Sequence, residues 1–127
     1  VLNANYVQEK LRGRYELPYD RRCMHECVLS ASRQAGRGVH AIDIAKALID
    51  RGFHPPTVYF PLIVKEAIMI EPTATESKEE LDRFIAAMIE IADLAGRDPD
   101  AFKTMPATTP VSRLDELKAA KDMRFSA

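Results

Sequence analysis

The chain has 127 residues, 46% apolar and 29% charged, and its 18 basic and 19 acidic side chains give a formal net charge of −1. That length suits one domain with its own core, and the charge balance argues against a generic nucleic-acid binder, whose footprint is a basic excess. No apolar run approaches the roughly 20 residues of a membrane span and no signal-peptide pattern opens the chain, so a cytoplasmic setting is expected.

The opening "VLNANYVQEKLRGRY" starts without an initiator methionine and already inside a helical pattern. Ala4, Val7 and Leu11 share a face, which predicts a helix over 3–14, closed off by Pro18, in a chain cut from something longer. Arg12, Arg14, Arg21 and Arg22 cluster, but Glu9, Glu16 and Asp20 are interleaved. They read as a solvated helix end rather than a phosphate site.

"CMHECVLS", 23–30, alternates in part and is predicted as a strand. On a strand, Cys23 and Cys27 would stand about 13 Å apart, beyond the ~7 Å a disulfide allows, so two reduced thiols are expected. "ASRQAGRGV" reads as a polar connection. "AIDIAKALIDRG" is the clearest helix, with Ile42, Ala45, Leu48 and Ile49 as its stripe, Lys46 on its exposed side and Gly52 as a left-handed cap. "PTVYF" is a short edge strand beside prolines, and 63–71 a longer β-branched strand ended by Pro72. A long helix over 77–95 opens with Ser77 and Glu80 spaced as a capping box. It carries Leu81, Phe84, Ile85, Met88, Ile91 and Ala92 toward the core and stops at Gly96. Asp98 and Pro99 start a further helical turn, and Ser112 with Asp115 caps a last short helix. The predicted fold is α+β: about three strands covered by helices on one face, the other face needing a partner. Two regions are expected, 1–96 as the domain with its entering helix and 97–127 as an extended tail packing on it.

No complete active site is legible. "HEC" at His25 lacks the second histidine of H-E-x-x-H, because Leu29 stands there, so no metal site is expected. There is no glycine-rich phosphate loop and no G-x-S-x-G. His40 reads as a capping or exposed residue and His25 as a sheet histidine. His54 follows a helix end, with Pro55 and Pro56 stiffening its backbone. Either it caps that helix or it is a placed functional group. Glu71 ends an apolar strand just before Pro72 and Thr73, where sites gather in layered folds; a solvated strand end is the plainer reading.

Several segments together resemble one family: "LNANY", the "HE" of His25 and Glu26, "DIAKALIDRGFHPPTVYFP", "MIEPTATESKEELDRF" and "TPVSRLDELKAA". They are similar to the C-terminal part of the glycine-cleavage P-protein, the pyridoxal-phosphate enzyme glycine dehydrogenase (decarboxylating). "PPTVYFP" is closer to the second subunit of the two-subunit bacterial form. The resemblance implies the small C-terminal domain of a fold-type I pyridoxal-phosphate enzyme, which closes the cleft over a large domain missing here. It implies that the whole enzyme decarboxylates glycine on pyridoxal phosphate and passes the aminomethyl group to the lipoyl arm of the H-protein, with subunit 1 as a further partner. The family's cofactor lysine follows a histidine, and no His-Lys pair occurs here. The implied chain therefore has no catalytic or cofactor-binding residue, binds no cofactor and is inactive alone. His54, Glu71, Thr73 and His25 are its cleft-facing candidates. A free-standing α+β regulatory or interaction module is the alternative.

Overall fold

In the computed structural model, residues 1–72 and 74–123 are described. Helix α1, Leu2–Leu11, leads to strand β1, Cys27–Ser30, a short helix α2, Ser32–Ala35, and helix α3, Ala41–Asp50. Strands β2, Thr57–Val58, and β3, Ala67–Ile70, precede the long helix α4, Lys78–Arg97. A 3₁₀ helix, Pro99–Thr104, and α5, Glu116–Lys121, complete the order. The sheet is antiparallel with order β1-β3-β2, Cys27 opposite Ile70 and Thr57 opposite Met69. This is the predicted α+β layer of three strands. Among the described residues no helix is long and apolar enough to cross a membrane.

The side chains of Cys27, Leu29, Ile68 and Ile70 form one sheet face, on which Val7 and Leu11 of α1, Ile44 and Leu48 of α3, and Met88 and Ile91 of α4 close the core. The opposite face was expected to need a partner, yet Val28, Ser30, Ala67 and Met69 are also buried. With both faces covered, alternation is lost, which is why "CMHECVLS" alternates only in part. Val7 and Leu11, the face predicted for the first helix, are fully buried in this core. Two tyrosines tie α1 and its exit to α4: the Tyr6 hydroxyl donates to Asp82 at 2.5 Å and the buried Tyr15 hydroxyl to the Met88 carbonyl at 2.9 Å.

Several limits differ from expectation for local reasons. Helix α1 ends at Leu11, and Gly13, at φ +83°, turns the chain before Pro18 is reached. β1 starts only at Cys27, because Asn5 holds the Cys23 backbone through both its amide and its carbonyl, at 2.8 and 3.1 Å. Cys23 is therefore off the strand; both thiols are free all the same, and burial pushes Cys27 up to about 12. In α3 the buried face is Ala41, Ile44, Ala45, Ala47 and Leu48, with Ile42, Lys46 and Ile49 half-buried. Gly96 does not stop α4. It lies one residue inside the helix, where a Cβ would stand 2.5 Å from the Arg37 guanidinium. The missing side chain makes room for that arginine, at an intrinsic helix cost of about 1 kcal/mol. Asp115, not Ser112, caps α5 by accepting from the Lys118 N–H at 2.9 Å.

β3 begins at Ala67 rather than at 63 because Glu66 has φ +51°. That left-handed backbone aims the Glu66 carboxylate at the start of α3, where it accepts from the Ala41 N–H at 2.8 Å and pairs with His40 Nδ1 at 3.0 Å. The charge satisfies an orphan donor and complements the positive end of the helix. The connection between β2 and β3 leaves Leu62 and Ile63 each 86% exposed.

The C-terminal segment is held at three points. Phe102, only 2% exposed, enters the core. Arg113 donates to Asp43 at 2.6 Å and to the Phe102 carbonyl at 2.7 Å. The Asp50 carboxylate accepts from the N–H groups of Ala107 and Thr108 and from the Thr108 hydroxyl, all within 2.9 Å.

Removing the Glu66 carboxylate as Glu66→Ala should destabilise the fold by about 1–2 kcal/mol, as loss of a helix N-terminal acceptor does, read by chemical denaturation. The tail clamp should depend on pH. Burial acts to raise the Asp50 carboxyl, but the Thr108 and Ala107 donors outweigh it and hold it below the usual carboxylate value. A depressed carboxyl contributes stability at neutral pH that is lost as pH falls through the lowered value. Amide protection at Ala107 and Thr108 should therefore drop on acidification, and Asp50→Ala should lack it already at neutral pH.

Candidate functional site

The antiparallel register collects most of the sequence-predicted residues at one end of the sheet. His25 and Glu26 immediately precede β1, and Glu71 and Pro72 immediately follow β3. Because Cys27 faces Ile70, both pairs lie at the same edge of the layer. β2 runs antiparallel to β3 as well, so the segment before Thr57, His54 to Pro56, passes the same end. Helix α3 delivers it there. Capped at its start by the residue preceding β3, α3 climbs about 15 Å in ten residues, and the four residues of β3 span about 14 Å. The two elements are thus of similar length, and the residues that follow each of them meet at one place.

His54 and Glu71 consequently line one cavity of about 310 Å³. Its walls are Phe53 and Phe84, edge-to-face at 5.5 Å between ring centres, together with Pro55, Pro56, Pro72 and Met69. Glu76 and Glu80 add two carboxylates beside Glu71. His25 stands apart from this cavity. It is 73% exposed at the same sheet end, with Nε2 3.7 Å from Glu26. Thr73, the fourth candidate, lies outside the described residues.

The turn that presents His54 is built without its side chain. The Phe53 N–H donates to the Leu48 carbonyl at 3.0 Å and the Gly52 N–H to that of Ile49 at 2.9 Å, with Gly52 at φ +79°. This is the paired backbone closure of a left-handed helix end. No cap is left for His54 to supply, and its exposed ring makes no hydrogen bond among the described residues. Of its two sequence readings, capping is the one the geometry removes.

Residues read in sequence as plain structure also form the wall. Phe84 belongs to the apolar stripe of α4, yet it faces the cavity and meets Phe53. By its spacing from Ser77, Glu80 is expected to form the reciprocal half of a capping box. Ser77 Oγ does accept from the Glu80 N–H at 3.2 Å, but the Glu80 carboxylate turns to Arg83 at 2.6 Å. Arg83 in turn covers the Phe53 ring, 5.6 Å from its centre. The glutamates that follow Pro72 are visible in the sequence, but nothing local marks them, or Phe84, as neighbours of His54.

The chemistry on offer is that of an acidic, aromatic recess with one imidazole. Among the described residues no lysine or arginine lines it. Among the described residues no group of three or more His, Cys, Asp or Glu is placed to hold a metal ion. Two of the four clustered arginines are paired, Arg12 with Glu9 at 3.0 Å and Asp20 at 2.8 Å, and Arg14 with Asp93.

His54→Ala should change unfolding free energy by no more than about 0.5 kcal/mol, as a surface substitution. Gly52→Ala, with open space around it, should cost about 1–2 kcal/mol through its left-handed backbone alone. Both are read by denaturant titration, and a His54 cost as large as the Gly52 cost would restore the capping role.

A family described as "Glycine dehydrogenase, C-terminal domain" matches residues 1–100. A "Probable glycine dehydrogenase (decarboxylating) subunit 2" of Bacillus velezensis is 60% identical over 121 residues, covering 95% of this chain and 25% of that protein. The same-named protein of Listeria welshimeri is also 60% identical over the same shares, and that of Caldanaerobacter subterraneus is 55% identical over 96% of the chain and 25% of the protein. The chain thus spans about a quarter of the length of these relatives. Over a continuous match of this extent the conclusion is direct: the chain belongs to the glycine dehydrogenase C-terminal domain family.

Proposed function

We propose that this chain is the C-terminal, cleft-closing part of a glycine dehydrogenase (decarboxylating) subunit 2. The observation that carries the reading is 60% identity over 95% of the chain to proteins of that name. The whole enzyme would remove carbon dioxide from glycine and pass the aminomethyl group to the lipoyl arm of the H-protein, working with subunit 1 in the cytoplasm. Pyridoxal phosphate would supply the electron withdrawal for that decarboxylation.

The cavity does not fit the cofactor. A phosphate monoester would meet three carboxylates there, with no lysine among the described residues to hold the cofactor's aldehyde. The grip on the cofactor is therefore assigned to the large domain, and this chain to one wall of the closed cleft. Its own residues act on the substrate side. Glu71 sets a negative charge near the entering carboxylate of glycine. Such like charges repel by roughly 4 kcal/mol at ~4 Å near a protein surface, which disfavours the carboxylate relative to neutral carbon dioxide. His54, held by two prolines and a backbone-closed helix end, offers a placed imidazole opposite. His25 and Thr73 are assigned to the rim. A free-standing module working through an open sheet face lacks support, since the side chains of β1 and β3 are buried on both faces.

In the complete enzyme, Glu71→Gln should slow carbon dioxide release from labelled glycine about tenfold, a 1.4 kcal/mol effect, with an unchanged thermal midpoint. His54→Ala should lower turnover well beyond its effect on stability. Wild-type rates in both variants would remove these residues from the cleft and leave the family assignment standing.

A further inference from the structure

A second cavity, of about 400 Å³, lies between the exit of α1, the loop after α2 and the last turn of α4. Four guanidinium groups line it, those of Arg14, Arg33, Arg37 and Arg97, against one carboxylate, Asp93. In a chain whose net charge is −1, this is a pronounced local excess. The arginines come from three separate stretches of sequence, Arg33 and Arg37 sharing one, so no single charge run announces them.

Two of the four are already committed. Arg14 pairs with Asp93, and Arg33 donates to the Gly13 carbonyl at 2.9 Å. The guanidinium groups of Arg37 and Arg97 donate no hydrogen bond to protein among the described residues. The negative end of α4 favours a cation in its last turn, which accounts for Arg97. It does not account for Arg37, which reaches across from the loop after α2. Its guanidinium sits where a Cβ on residue 96 would stand, 2.5 Å from Nη1, so that position of α4 is bare and the arginine lies against the helix. Two uncommitted planar forks beside two fixed ones match the several oxygens of a tetrahedral dianion, which guanidinium groups grip in pairs.

We propose that this cavity binds a phosphate monoester dianion. Its concave form suits a small anion better than the flat face of a protein. Among the described residues no lysine lines it, so an aldehyde cofactor would find no amine there. The inference stands on these side chains and not on the family assignment.

The test is a titration of this chain, which buries its own core, with inorganic phosphate near neutral pH at constant ionic strength. The Nε–Hε resonances of Arg37 and Arg97 should shift and saturate, while chloride leaves them in place. Arg37→Gln combined with Arg97→Gln should weaken binding by roughly tenfold or more, the scale of a hydrogen bond to a charged group. Gly96→Ala keeps every charge but displaces Arg37, and should also weaken binding severalfold with the thermal midpoint retained. Shifts that never saturate, or an unchanged affinity in the double variant, overturn the site. Saturation by a glutamate-rich peptide but not by phosphate also overturns it and assigns the cavity to an acidic protein segment.

Discussion

One hydrogen-bonded contact sets the geometry on which the rest depends: the carboxylate of Glu66 on the first N–H of α3. Glu66 can reach it only because its backbone turns left-handed, a conformation that costs a non-glycine residue roughly 1–3 kcal/mol. The orphan donor it satisfies and the favourable charge at the helix start offset that cost. The strand thereby begins at Ala67 and the helix at Ala41 on the same level of the layer. Everything downstream is counted from there, including the meeting of His54 with Glu71.

Around that contact the chain divides its labour by side-chain type. Apolar residues of α1, α3 and α4 close the core on one sheet face, and Phe102 extends it into the tail. Polar side chains settle where backbone groups lack partners: Asn5 on Cys23, Ser77 on the start of α4, Asp50 on the 107–108 turn. The acidic cavity is made of what these tasks leave over. His54 and Glu71 stabilise nothing the structure needs. Groups so placed, on a backbone so firmly fixed, are better suited to meeting a ligand than to holding a fold.

How much was legible in advance follows the range of each signal. α4 announced itself through Ser77 and an apolar stripe at helical spacing, and α3 through the same stripe and Gly52. Both are local patterns. The strands were recognised but overextended, because what ends them lies elsewhere: Asn5 restrains Cys23, and α3 recruits Glu66. α2 passed as a connection, since four residues give no period to read. Gly96 looked like a stop when the reason for it was Arg37, some sixty residues earlier. The site fared likewise. His54 and Glu71 stood out singly, by their prolines and their strand end, but their common cavity is a product of register. Phe84 and Glu80 carried equally good local explanations, as core and cap, and nothing near them in sequence argued otherwise.

Matched element lengths make this arrangement intolerant of insertion. One extra residue in α3 would advance its end by 1.5 Å and rotate it by about 100°, swinging the imidazole off the recess while the start of the helix stays anchored. One extra residue in β3 would turn every side chain beyond it to the opposite face. Length variation in such a chain is therefore confined to the connections and the tail, and the two elements flanking the recess can change in composition but not in count.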